Sequence, residues 1–188
     1  DCPALPAVST VLWLDSACQV NTSGLGGIHR EIIAKGLYSP ISAGCVQQWT
    51  HPLTLTALEE DGTLLPPNSR SQGGREADDA GSLCGAARDG EARGGDGTVA
   101  NNDSAAASGA TAGRYTAADL RPRLNRNAAV VGFSLDDLPA LNLLNEWDRL
   151  CHCRQVVAPQ GSDRSNHRQD QAVLTLLFYA MGWFEVYA

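Results

Sequence analysis

The sequence predicts an α/β fold interrupted by a long insertion that does not fold. Two short, nearly continuous apolar runs, Val8-Ser9-Thr10-Val11-Leu12-Trp13-Leu14 and Ala128-Ala129-Val130-Val131-Gly132-Phe133, have the length and β-branched content of buried strands. Each is followed by a segment with apolar residues at helical spacing. Between the two halves, from about Glu59 to Arg126, the chain is mainly Gly, Ala, Ser, Asp and Arg; the only aromatic residues or aliphatic residues larger than alanine between Leu65 and Leu120 are Leu83, Val99 and Tyr115. Such a stretch buries too little apolar surface to offset ordering costs of roughly 1 to 2 kcal/mol per residue. The organisation expected is therefore a first ordered block over 1–58, a low-complexity disordered insertion over 59–126, and a second ordered block of the same domain over 127–188.

The first strand ends at Asp15, a position outside the carboxyl end of a strand where open α/β sheets place functional carboxylates. Leu25, Ile28 and Ile32 then recur on one helical face, with Lys35 in the last turn and Gly36 placed to terminate the helix in a left-handed conformation. Leu37-Tyr38-Ser39-Pro40-Ile41-Ser42 reads as an edge strand or loop because of its proline. Pro52 fits the first position of a second helix. After the insertion, Ser134-Leu135-Asp136-Asp137 reads as the cap of a helix whose packed face runs through Leu141, Leu144, Trp147 and Cys151. Val156-Val157-Ala158-Pro159 reads as extended chain. Ala172 to Met181 is apolar throughout and reads as a buried helix.

Composition removes some function classes. The 188 residues carry a formal net charge of -7, which argues against a nucleic-acid-binding surface. No apolar run reaches the roughly 18 to 20 residues needed to cross a bilayer as a helix. Six cysteines are too few for a dense disulfide framework, and Cys151-His152-Cys153 lacks the spacing and second pair of a structural zinc site, so free thiols or one or two disulfides are expected. Disulfides, together with the sequons at Asn21 and Asn102, fit a secretory compartment. The chain begins Asp1-Cys2-Pro3 and stops at Glu185-Val186-Tyr187-Ala188 as a further strand starts, and so reads as a piece of a longer protein.

The densest chemistry lies in Ser165-Asn166-His167-Arg168-Gln169-Asp170-Gln171, at the entrance of the last helix. Free N–H groups and the dipole at a helix N-terminus favour anions, so this is an expected place for a phosphate. Ala158-Pro159-Gln160-Gly161-Ser162 followed by Asn166 to Gln171 resembles the C-terminal signature of the nucleotide-diphospho-sugar transferase-like family, glycosyltransferases of the GT-A type. Val11 to Ser16 resembles the strand and acidic turn that carry the Asp-x-Asp motif in that family, and Trp49-Thr50-His51-Pro52 resembles a block that follows it.

The resemblance implies a partial GT-A fold, Rossmann-like, that transfers a sugar from a nucleotide-sugar donor to a hydroxyl or glycan acceptor with help from a divalent metal, Mn or Mg, in the Golgi lumen or secretory pathway. Hard cations take oxygen ligands with an occasional imidazole, which makes Asp15, His167 and His51 the candidate metal ligands. Asp170 is the candidate general base or acceptor clamp, with Gln171 beside it. Arg168 and Asn166 are candidates for the donor phosphates, and Trp49 for stacking. Position 17 is Ala17 where an Asp-x-Asp would carry its second carboxylate. That departure supports a second reading, a non-catalytic relative or truncated fragment acting as a binding or structural module.

Overall fold

The computed structural model describes residues 9–19, 22–67 and 115–183. The fold is mixed α/β, in the order β1 (Thr10–Leu14), α1 (Thr22–Lys35), β2 (Leu37–Tyr38), β3 (Ile41–Cys45), α2 (Val46–Trp49), α3 (Pro52–Glu60), α4 (Ala117–Leu120), β4 (Leu124–Arg126), β5 (Val130–Ser134), α5 (Leu138–Cys151), α6 (Arg154–Val157) and α7 (Asp170–Ala180).

The strands form a three-stranded sheet in the order β1-β5-β2 and a two-stranded sheet of β3 and β4. Every one of these strand pairs is antiparallel. The carboxyl-end rule for parallel sheets therefore gives Asp15 no special standing, and β1 lies at an edge rather than in the middle. Its residues Val11 and Trp13 are 42% and 59% exposed, a departure from the strand covered on both faces that its apolar run predicts. The central strand is β5. Its two faces are covered by different helices: on one, Phe133 meets the ring of Trp147 from α5 at 6.3 Å; on the other, Gly132 lies under Ile32 of α1. A Cβ built on Gly132 would stand 2.3 Å from Ile32 Cδ1, so a glycine within this strand is what lets α1 approach.

Helix α1 ends as its sequence predicts, at Gly36 with φ 78°. The residue is doubly constrained, since a Cβ there would also meet the Asp137 carboxylate at under 3 Å. Asp137, rather than Ser134, is the cap of α5, accepting the Ala140 N–H at 2.8 Å. The buried face of α5 is Ala140, Leu143 and Leu150, with Leu144 and Trp147 packed beside it. Val156 and Val157 belong to a single helical turn, not to extended chain.

The centre of the molecule is α7. All nine residues from Ala172 to Ala180 are buried, as expected of a helix that is apolar on every side. Leu174, Leu176, Leu177 and Phe178 are at most 1% exposed, and burial of each side chain is worth roughly 1.5 to 3 kcal/mol relative to exposure. Its two hydroxyls are satisfied: Thr175 donates to the Gln171 carbonyl and accepts the Arg126 N–H, and Tyr179 donates to the Leu124 carbonyl at 2.8 Å.

Both flanks of the expected insertion are folded, which corrects its boundaries. Leu64 and Tyr115 are 1% and 2% exposed, Leu120 is fully buried, and the Leu65 N–H donates to the Tyr115 carbonyl at 2.9 Å. The rest of that reading, 68–114, lies outside the described residues, as do the two sequon asparagines. If Tyr115 is core, Tyr115→Ala should cost on the order of 3 kcal/mol in urea denaturation, as for other buried aromatics. A cost within about 0.5 kcal/mol, usual for a surface position, would return the residue to the insertion.

Candidate functional site

Five of the eight residues that sequence chemistry singles out meet where α2 and α3 join the loop before α7, but they meet as scaffold. His167 is 1% exposed and both its ring nitrogens are engaged. Nδ1 accepts the His51 backbone N–H at 3.2 Å, which requires a lone pair there, and Nε2 faces the Val157 carbonyl at 3.1 Å, which places the proton on Nε2. Burial pushes the imidazole below its usual pKa, outweighing the upward pull of the Val157 carbonyl.

His51 caps α3: its Nδ1 accepts the Leu53 N–H at 3.3 Å and its carbonyl accepts the Thr54 N–H. The Trp49 carbonyl accepts the Arg168 N–H, and the Arg168 guanidinium stacks on the Trp49 ring at 4.1 Å. Asn166 spends both ends of its amide on its own loop, accepting the Asp163 N–H at 2.8 Å and donating to the Gly161 carbonyl at 3.0 Å.

Asp15 does not join them. Its carboxylate accepts from Ser16 Oγ and the Ala17 N–H, closing its own turn at the end of the edge strand. Among the described residues no group of three His, Cys, Asp or Glu side chains could hold a metal ion. Asp15, His51 and His167 therefore do not fit a divalent cation: one is in a separate turn, one uses a nitrogen as a helix cap, and one has no free nitrogen. Arg168 is exposed, but its guanidinium lies over the half-buried Trp49 ring, so that ring face is covered rather than open to a base.

The expected phosphate cradle at the start of α7 is also closed. The N–H of Gln171 donates to the Arg168 carbonyl, and those of Ala172 and Val173 to the Gln169 carbonyl. Asp170 is exposed in the first turn, where its charge suits the dipole. The Trp147 indole N–H donates to the Asp170 carbonyl at 3.0 Å, fixing where α7 begins. Gln171 is half-buried. The neighbouring Cys151 is a free thiol that burial, with help from Asp170 and Asp148, pushes up to about 11, so it stays protonated at neutral pH.

What this scaffold holds open is a groove between α3 and α6, of about 940 Å³, within the size range of small-molecule sites. One wall is the face of α3 bearing Leu53, Thr56, Ala57 and Glu60; the other is Arg154, Gln155 and the chain from Ala158 to Ser162, with Gln169 at the end. The walls are tied by the Thr54 hydroxyl, which donates to the Val156 carbonyl at 2.8 Å, and His51 Nε2 lies behind Gly161.

Among the described residues Gln169 is the single non-glycine residue with positive φ, at φ 48° and ψ -120°. A side chain in such a region costs on the order of 1 to 3 kcal/mol and persists where the surroundings impose it, as at ligand sites. Sequence reasoning missed the α3 wall and the role of Gln169. The 53, 56, 57, 60 spacing does mark one helix face, but nothing in the sequence says that α6 lies opposite it.

Two groups whose protonation the fold shifts, Asp61 and His167, set opposite ends of an acid transition. The Arg149 guanidinium, bonded to both oxygens of Asp61 at the end of α3, holds that carboxyl below its usual range. Its contribution is complete above the unfolded value of about 3.9 and is lost as pH falls through the folded one. His167 acts earlier. Because its folded pKa lies below the unfolded value of about 6.5, the unfolded chain binds the proton first, and stability declines as pH falls from about 6.5 towards the folded pKa. Melting temperature against pH should therefore begin to fall below about pH 6.5 in the wild type. In His167→Asn, which keeps an acceptor for the His51 N–H, this early decline should vanish while the fall below about pH 4 remains; an unchanged early decline would remove His167 from the account.

No protein-family profile matches this chain, and no curated protein or solved structure matches it either, so its function is argued from the groove and its walls.

Proposed function

We propose that the chain is part of a GT-A-type glycosyltransferase, moving a sugar from a nucleotide-sugar donor to a hydroxyl acceptor at the groove between α3 and α6. The observation that supports this reading is that the two parts of the C-terminal signature, Ala158 to Ser162 and Asn166 to Gln171, both reach that groove. Ala158 to Ser162 line it, and the segment Asn166 to Gln171 contributes Gln169 and places Asp170 next in the chain. Asp170 is the general base or acceptor clamp. Asp170 does not line the groove itself but follows Gln169 in the chain. It is exposed at the start of α7 with its backbone fixed by Trp147, and in this proposal its carboxylate takes the proton from an acceptor hydroxyl as the glycosidic bond forms.

Among the described residues Asp15, His51 and His167 do not converge on a site for a divalent cation, so none of the three is assigned a metal. The secretory or Golgi location belongs to the same proposal, and the disulfide at Cys45 is in keeping with an oxidising compartment.

A second reading, a binding module without catalysis, is favoured by the same closed geometry at His167 and Asp15. Turnover separates the two. Incubation with a panel of nucleotide-sugar donors and simple glycoside acceptors should release nucleoside diphosphate, and Asp170→Asn should lose on the order of 100-fold or more in turnover. Since the carboxylate is exposed, the melting temperature of that variant should stay within a few degrees of wild type. Near-wild-type transfer by Asp170→Asn would remove the residue from the chemistry, and binding without any transfer by the wild type would leave the binding module.

A further inference from the structure

The groove's charge and hydrogen-bonding inventory identify which half of a transfer reaction it holds. We infer that the groove binds a neutral, polyhydroxylated ligand, the glycan acceptor rather than the nucleoside diphosphate, and that Gln169 is the residue that selects it. This rests on the proposed function for the sugar, and on the groove itself for the choice of partner.

A diphosphate needs converging cations or free backbone N–H groups. The groove offers one guanidinium, Arg154 on the α6 wall, offset by one carboxylate, Glu60 on the α3 wall. Both helix N-termini beside it have their first N–H groups bonded within the chain: Leu53 and Thr54 to His51, and Gln171, Ala172 and Val173 to the carbonyls of Arg168 and Gln169. The exposed Asp170 carboxylate adds a negative charge at the start of α7.

Hydroxyls suit the same walls. The amides of Gln155, Gln160 and Gln169 line the groove, and each can donate and accept at once, as every sugar hydroxyl does. Leu53, 48% exposed, supplies apolar surface for the C–H face of a ring. The strained backbone of Gln169 is the second, independent sign. A glycine would hold the same turn without penalty, so a glutamine there keeps an amide on the groove at a cost to stability.

The test uses the chain as it stands, with a mixture of methyl galactoside, glucoside, mannoside and N-acetylglucosaminide followed by saturation-transfer NMR, and with uridine diphosphate in parallel. At least one glycoside should bind the wild type and persist when equimolar uridine diphosphate is added. Gln169→Ala, which keeps the strain, and Gln169→Gly, which relieves it, should both weaken that binding by about tenfold or more. Only Gln169→Gly should also raise the melting temperature, by about 2 to 4 °C. A purely structural Gln169 would move the melting temperature and leave glycoside binding unchanged, overturning its role. Uridine diphosphate binding weakened by Gln169→Gly, with no glycoside bound, would overturn the neutral-ligand assignment and leave the transferase reading standing. Binding of neither probe would overturn both.

Discussion

The fold depends on one constraint: α7 is apolar on every side and must be surrounded. Packed around it are α5, α6, α2 and β4, which come from both halves of the chain. Its few polar groups find their partners on β4 and in its own first turn, through Thr175 with Arg126 and Gln171, and Tyr179 with Leu124. Arg126 is itself buried, donating to the Ser39 carbonyl and lying over the Phe178 ring at 4.2 Å. Enclosing α7 therefore brings Ser39 and β3 to β4, and it seats the start of the helix between Trp147 and the Trp49–His51 corner.

That corner explains why chemistry-bearing residues turn out to be scaffold. The chain must enter a buried helix from solvent within a few residues, and each backbone group on the way in needs a partner. His167, Asn166, Arg168 and His51 supply these partners by closing loops, capping helices and covering rings. Polar side chains thus collect at the mouth of an apolar helix whether or not a ligand binds there. The groove lies one step outward, where side chains of Gln155, Gln160 and Gln169 have no such duty.

Much of the fold is legible in the sequence where one local rule decides. Gly36 ends α1, Pro52 begins α3, and the apolar run after Asp170 is the buried helix. What stays hidden depends on distant partners. Val11 and Trp13 look like core residues, and their exposure follows only from β1 being an edge strand. Tyr115 looks stranded in a low-complexity tract, and its burial follows from a bridge between Leu65 and Thr116. The site divides in the same way. Ala158 to Ser162 are recognisable as a motif, whereas the α3 wall arises only when α3 and α6 pack together, and nothing in the sequence marks the positive φ of Gln169.

The central claim is that this packing makes a ligand groove while the residues beneath it serve as its frame. Amide chemical-shift mapping during titration with the methyl glycoside mixture tests it most directly. Shifts concentrated at Leu53, Gln160 to Ser162 and Gln169, with Asp15 and its turn unmoved, are the result this account predicts. Shifts centred on the Asp15 turn, or on the Trp49 and Arg168 stack with the groove silent, would contradict it.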